Sequence, residues 1–233
     1  YNDSFPKIPA IAVSTRHAEY VSRELKTSKG LKLFFRTECE MLPDVKSYNV
    51  IGEVRGTEYP NEIITVGGHL DSWDLAEGAH DDGAGCVQSM EIIRVYKRLG
   101  IKPKRTIRVV MFMNEENGLR GGRKYGEVAA AEKTMKHIFA LESDAGGFTP
   151  RAFGFTATAP VLERLRNWMP LFKPYGVYEF SEGGGGADIG PLRPLGTVLA
   201  GLRPDSQRYF DHHHAGNDTF EMVSKRELEL GAI

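Results

Sequence analysis

Residues 105–113, Arg-Thr-Ile-Arg-Val-Val-Met-Phe-Met, constrain this chain more than any other stretch. From Val109 to Met113 every side chain is apolar, so a strand there has no face left for water. A strand buried on both sides belongs in a sheet covered by helices, and such sheets are largely parallel. The surrounding pattern agrees. Residues 50–54 alternate, and Ile63-Ile64-Thr65-Val66 is a short apolar run. A helix is expected from Gly83-Ala84-Gly85 to Leu99-Gly100, with Val87, Met90, Ile93 and Tyr96 as its apolar positions. Further helices are expected over about 119–131 and 161–168, and strands over 138–141 and 197–200. Tyr59-Pro60-Asn61-Glu62 reads as a turn. Alternating strands and helices point to an α/β three-layer sandwich with a mixed, centrally parallel sheet.

Residues 1–47 differ in style. Pro6-Lys7-Ile8-Pro9-Ala10-Ile11-Ala12-Val13 reads as a short edge strand. Residues 15–25 read as a small helix capped by Ser14 or Thr15, and 31–38 as an alternating strand. We expect the last part of a small α/β accessory domain there, joined near Pro43-Asp44 to a second domain over 48–233. The chain begins without Met and stops within an amphipathic helix, so it reads as a piece cut from a longer chain at both ends. A formal net charge of -1 gives no electrostatic reason to expect nucleic acid or an anionic membrane as partner. No apolar run approaches the ~20 residues of a membrane span. The two cysteines, Cys39 and Cys86, form neither a disulfide framework nor a metal knuckle. Cys86 reads as a small apolar filler in a buried helix, and Gly183-Gly184-Gly185-Gly186 as a mobile loop.

In open α/β sheets, ligands gather beyond the carboxyl ends of the strands. His69 follows the Ile63 strand, Glu115-Glu116 the Arg105 strand, and Asp144 the Ile138 strand. Asp211-His212-His213-His214 comes after the late strand, across a loop, and Asp81 joins from the turn before a helix. Taken singly, each has an ordinary reading. His69 could be a hydrogen-bonded histidine capping the sheet, one of Asp81-Asp82 a helix cap, Glu115-Glu116 a solvated helix start, and Asp144 a turn residue. Asp188 and Asp218 read as loop-fixing groups. Together, His, Asp, Glu, Asp and His are the ligand types of two zinc ions sharing a carboxylate. Such a pair clamps a carbonyl and generates hydroxide near neutral pH, with a spare glutamate as general base. A carboxylate at Asp71, two residues past His69, could take the other ring N–H.

These motifs together resemble the co-catalytic dizinc exopeptidases of the bacterial leucine aminopeptidase type, most of all their carboxypeptidase Q group. The resemblance is carried by Pro6-Lys7-Ile8-Pro9, Gly68-His69-Leu70-Asp71-Ser72-Trp73-Asp74, Asp81-Asp82-Gly83, Lys102-Pro103-Lys104-Arg105-Thr106, Glu115-Glu116, Glu142-Ser143-Asp144-Ala145-Gly146 and His213-His214 with Asp218-Thr219. It covers nearly the whole chain. It implies that His69 and Asp144 hold one zinc, Glu116 and His214 the other, and that Asp81 bridges both. His214 is placed by its spacing to Asp218-Thr219, with His213 as the alternative. Glu115 is then the general base acting on a metal-bridging water, Asp71 orients His69, and the Asp81-Asp82 peptide is cis. The resemblance further implies small peptides or dipeptides as substrates, a secreted or periplasmic location, the end of a protease-associated domain over 1–47, and compatibility with a homodimer. This chain departs from the group at Gly216-Asn217 and in the glycine-rich loop at 183–186. Two rivals remain at this stage, a single-zinc acyltransferase of the glutaminyl cyclase type and a non-catalytic ectodomain on the same fold. For a substrate amine the candidate partners are Glu142 and Glu182, and for a substrate carboxylate Arg193, Arg203 and Arg208.

Overall fold

The computed structural model describes residues 8–28, 30–40 and 42–233. In chain order its main elements are α1 (Thr15–Thr27), β1 (Val50–Val54), β2 (Tyr59–His69), α2 (Ala84–Leu99), β3 (Arg105–Phe112) and α3 (Arg120–Ala131). There follow β4 (Lys136–Glu142), β5 (Pro150–Thr156), α4 (Ala159–Arg166), α5 (Met169–Phe172), β6 (Glu179–Glu182), β7 (Val198–Pro204) and α6 (Lys225–Ala232). The chain divides into two compact units, Tyr1–Lys46 and Ser47–Ile233.

In the first unit α1 begins where expected, with Ser14 Oγ accepting from His17 N at 3.3 Å. Among the described residues, neither of the two strands expected there forms. Residues 8–13 and 31–38 join no ladder among the described residues, and Pro6 and Lys7 lie outside them. Phe34 is 94% exposed and Leu33 65%. Alternation alone does not make a strand, because a strand is stabilised by its partner.

The second unit is one seven-stranded sheet in the order β1-β3-β2-β4-β7-β5-β6. The four central strands, β3, β2, β4 and β7, run parallel, while β1 and β5 pair antiparallel to their inner neighbours. Strand β3 behaves as its composition demands. Val110 and Phe112 enter one core with Tyr125 of α3, Ile189 and Leu192. Val109 and Met111 enter another with Cys86, Ile92 and Ile93 of α2. Neighbouring residues thus feed opposite faces, which makes the sheet the middle of three layers. A third core, around Phe155, Leu162 and Phe180, packs under α4.

One expectation is corrected here and one refined. Residues 59–62 are the bulged beginning of β2 rather than a turn, with a register shift against β3 between Tyr59 and Ile63. A bulge tolerates Pro60, which cannot donate to a ladder. The run Gly183–Gly186 is a loop, as expected, in which Gly184 and Gly186 are closely packed while a Cβ on Gly183 would meet nothing within 4 Å. A Cβ on Gly184 would stand 2.3 Å from the Gly154 backbone, and one on Gly186 2.0 Å from the Glu142 carboxyl.

Candidate metal centre

Parallel direction and strand order bring the acids and histidines together. His69 ends β2, which lies between β3 and β4. Glu115-Glu116 follow β3 and Asp144 follows β4, so three neighbouring strands deliver side chains at the same edge. Asp81 reaches them from the turn at Ala79–Gly83, which contains the cis Asp81-Asp82 peptide. That turn lies so close to β2 that a Cβ on Gly68 would stand 2.1 Å from Asp82 Oδ2.

Asp82 is part of the framework. It is buried, accepts from His69 N and Gly85 N at 3.0 Å each, and so ties the end of β2 to the start of α2. Cys86, free and buried, donates its thiol to the His69 carbonyl at 3.0 Å. Asp218 accepts from His80 N (2.7 Å) and Asp81 N (3.0 Å), the loop-fixing role expected of it. Asp71 acts differently from the sequence expectation. His69 Nδ1 donates to the backbone carbonyl of Asp71 at 2.7 Å, and the Asp71 carboxylate stands 3.9 Å away. That carboxylate instead accepts from Glu115 N and Glu116 N, at 3.0 and 3.2 Å.

Around Asp81 the donor atoms fall into two sets. On one side His69 Nε2 lies 3.2 Å from Asp81 Oδ1 and 3.5 Å from Asp144 Oδ1. On the other, His214 Nε2 lies 3.2 Å from Asp81 Oδ2 and 3.0 Å from Glu116 Oε2. His213 Nε2 is 3.6 Å from the same Asp81 oxygen, and its ring stacks on His214 with centroids 3.6 Å apart. Both His213 and His214 therefore stand at the second set, and only His214 also meets Glu116. His214 holds a left-handed backbone, φ 55°, uncommon for a residue other than glycine. Trp73 donates its indole N–H to Glu116 Oε2 at 2.5 Å and lies beside the His214 ring.

The electrostatics of this cluster fit a cation. Asp81 Oδ2 and Glu116 Oε1 are sealed from solvent with no hydrogen-bond partner, a costly state for a carboxylate. Two atoms each ~2.0–2.1 Å from one tetrahedral zinc stand about 3.3 Å apart, close to the separations on both sides of Asp81. The trios His69, Asp81, Asp144 and Asp81, His213, His214 each bring their ligand atoms within 4.8 Å of one another. Burial opposes charge on His69, but Asp144 and Asp81 outweigh it and raise its pKa. A proton held there is what a metal ion would displace. Burial and then the Asp81 charge push Glu116 up to about 7, and burial first of all raises Glu115 as well.

Beside the cluster opens a cleft of about 410 Å³, lined among others by Glu115, Leu119, Arg123, Tyr209 and His213. The terminus-reading candidates lie elsewhere. Glu142 is 2% exposed and accepts from Ile189 N at 2.9 Å, with burial and then Asp188 raising it to about 8. Arg203 bonds Ser181 and Gly183, and Arg208 bonds Glu227 and lies over the Phe148 ring. Arg193 and Glu182 do not line the cleft. Arg123 was missed because a helical arginine carries no local mark of facing a site.

With the fold and this donor set in view, the family follows. Residues 49–230 match the model of peptidase family M28, and the chain belongs to that family. It is 36% identical over 234 residues to carboxypeptidase Q of Mus musculus, across 100% of this chain and 49% of the relative. The chain thus spans about half the length of the curated relatives it matches. Among solved structures, a peptidase M28 precursor from Shewanella amazonensis superposes with a TM-score of 0.75 at 38% identity, covering 80% of this chain and 42% of that one. A zinc aminopeptidase from Bacillus subtilis shares the fold, with a TM-score of 0.64 at 22% identity over 79% of this chain and 47% of that one.

Proposed function

We propose that this chain carries the centre of a zinc-dependent exopeptidase that hydrolyses terminal bonds of small peptides. One observation carries the reading: the two oxygens of Asp81 face two different donor sets, His69 with Asp144 and His214 with Glu116. These five residues would hold two ions, His213 standing as the alternative to His214. Two zinc ions bound there would polarise a scissile carbonyl and acidify a water. The residues of the chain do the rest. Asp71 holds the backbone of Glu115 and Glu116 by their N–H groups. Glu115, next to a ligand and with its carboxylate hydrogen-bonded to none of the described residues, takes a proton from the attacking water and returns it to the leaving amine. Burial, which raises its affinity for that proton, suits it to the task. Membership of family M28 and the likeness to carboxypeptidase Q support the reading. The same resemblance supports residues 1–47 as the end of a protease-associated domain and a secreted or periplasmic setting. No described helix is long and apolar enough to cross a membrane.

Metal analysis of the purified chain should find two zinc ions, and a dipeptide panel should be hydrolysed only with zinc present. Glu115→Gln should keep both ions and lose about 10²–10⁴-fold in turnover. Full activity in that variant would remove Glu115 from its role. One tightly held ion without hydrolysis would favour acyl transfer, and neither metal nor turnover would favour a binding role.

A further inference from the structure

The cleft beside Asp81 is lined by four carboxyl groups, those of Asp81, Glu115, Glu116 and Asp144, and, histidines aside, by one cation, Arg123. Arg123 lies in the first turn of α3 and is exposed. Its side chain has no hydrogen bond, ion pair or ring contact among the described residues. What sets Arg123 apart is its place at the wall of this acid-lined cleft. Arg94, Arg105, Arg108 and Arg208 each pair with a carboxylate. Arg123 borders four carboxyl groups and pairs with none.

Its backbone, by contrast, is firmly held. The residues just before it are Gly121 and Gly122. A Cβ on Gly121 would stand 2.4 Å from the Met113 carbonyl, and one on Gly122 2.6 Å from the Asp188 carbonyl. Only glycines let α3 press this closely on the end of β3 and on the Asp188 backbone. Gly121 N donates to Met113 O at 2.9 Å, and Asn49 Nδ2 donates to Gly121 O at 2.9 Å. Arg123 N in turn donates to Leu119 O at 3.0 Å. The result is a planar, five-donor fork on a fixed stem at the wall of a cleft of about 410 Å³.

We propose that Arg123 anchors a carboxylate of the bound substrate, the free terminal carboxylate of a short peptide or an acidic side chain beside the scissile bond. This rests on the exopeptidase reading. Once cations offset the four acids, Arg123 is the remaining charge in the cleft, and a carboxylate is the group its fork fits in bidentate fashion. A cleft of this size takes a ligand of dipeptide dimensions. Arg123 is then a specificity-determining residue, which selects among peptides rather than breaking the bond.

The test is calorimetric binding to the zinc-supplemented chain of dipeptides whose peptide bond is reduced to a methyleneamine, so that nothing is hydrolysed. One pair compares the free acid with its carboxy-terminal amide. A second pair compares aspartate with asparagine at the second residue, both as amides. Wild type should favour the carboxylate member of at least one pair by about tenfold or more, the scale of a charge-assisted pair. The first pair responding identifies a terminal carboxylate, the second a side chain. Arg123→Gln should shrink that ratio to within about twofold, and Arg123→Lys should keep part of it, as a point charge without the fork. A ratio unchanged in Arg123→Gln, or no preference by wild type in either pair, overturns the proposal. Turnover of the unreduced dipeptides, measured alongside, reads the exopeptidase proposal separately. Absent turnover with the ratio intact would sink that reading and leave the anchor standing.

Discussion

At the scale of single residues, the chain shows how little of a side chain's task is decided by its neighbours in sequence. Asp71 stands two residues from His69, a spacing that suggests a carboxylate steadying an imidazole. In the fold its main-chain carbonyl takes the ring N–H, and its carboxylate is spent on the backbone of Glu115 and Glu116, which arrive from another strand. His137 makes the same point away from the site. It is buried on β4, with Nδ1 3.0 Å from Thr65 Oγ1 and its ring edge-on to Tyr125. Burial, and then the Arg108 charge, lower it from an ordinary 6.5 to about 4. The unfolded chain therefore binds a proton that the folded chain refuses between those two values. Stability is complete above pH 6.5 and falls as pH drops toward about 4, by up to about 3 kcal/mol from this residue alone. Urea unfolding of wild type and His137→Gln across that range should show the acid-side loss reduced in the variant. Parallel curves would mean that His137 titrates normally.

At the scale of elements, the sequence was most legible where burial is greatest. The strands β2, β3 and β4 and the helices α2, α3 and α4 stand within a few residues of where periodicity puts them. The peripheral strands β5 and β6 were not expected. Pro150 and Gly154 interrupt the first, and Gly154 is needed where a Cβ would meet Gly183 O at 2.4 Å. That reason is invisible until the neighbour is known. The stretch 31–38 fails in the opposite sense, alternating without a partner strand among the described residues. The tightest meeting of elements near the site is α2 against the end of β4, where a Cβ on Gly85 would stand 1.8 Å from Ser143 O. That neighbour is backbone, so the helix itself must move. Gly85→Ala should cost about 1–3 kcal/mol and lower the thermal midpoint. Gly190→Ala, with nothing within 4 Å of its Cβ, is the control and should stay within about 0.5 kcal/mol. Equal midpoints for the two variants would show that α2 yields without cost.

At the scale of the whole molecule, the second unit gathers carboxylates and histidines at one edge of its sheet and leaves buried oxygens there without partners. A cation binding only the folded form must therefore raise stability. At a free zinc concentration a hundred times the dissociation constant the gain is about 2.7 kcal/mol, or roughly 5–10 °C for a domain of this size. Scanning calorimetry with and without zinc should show that rise and its reversal by a chelator. No shift would mean that the donor sets do not hold zinc. The sequence by itself determined the layered α/β architecture and the set of acids and histidines that follow its strands. Periodicity and the residues just past a strand are properties of the chain alone. Only the tertiary structure decided that Asp81 turns one oxygen to each donor set, that His213 and His214 both stand beside it, and that Arg123 rather than Arg203 or Arg208 borders the cleft. Those facts depend on strand order and on which loops meet across the sheet edge, and no local spacing encodes either.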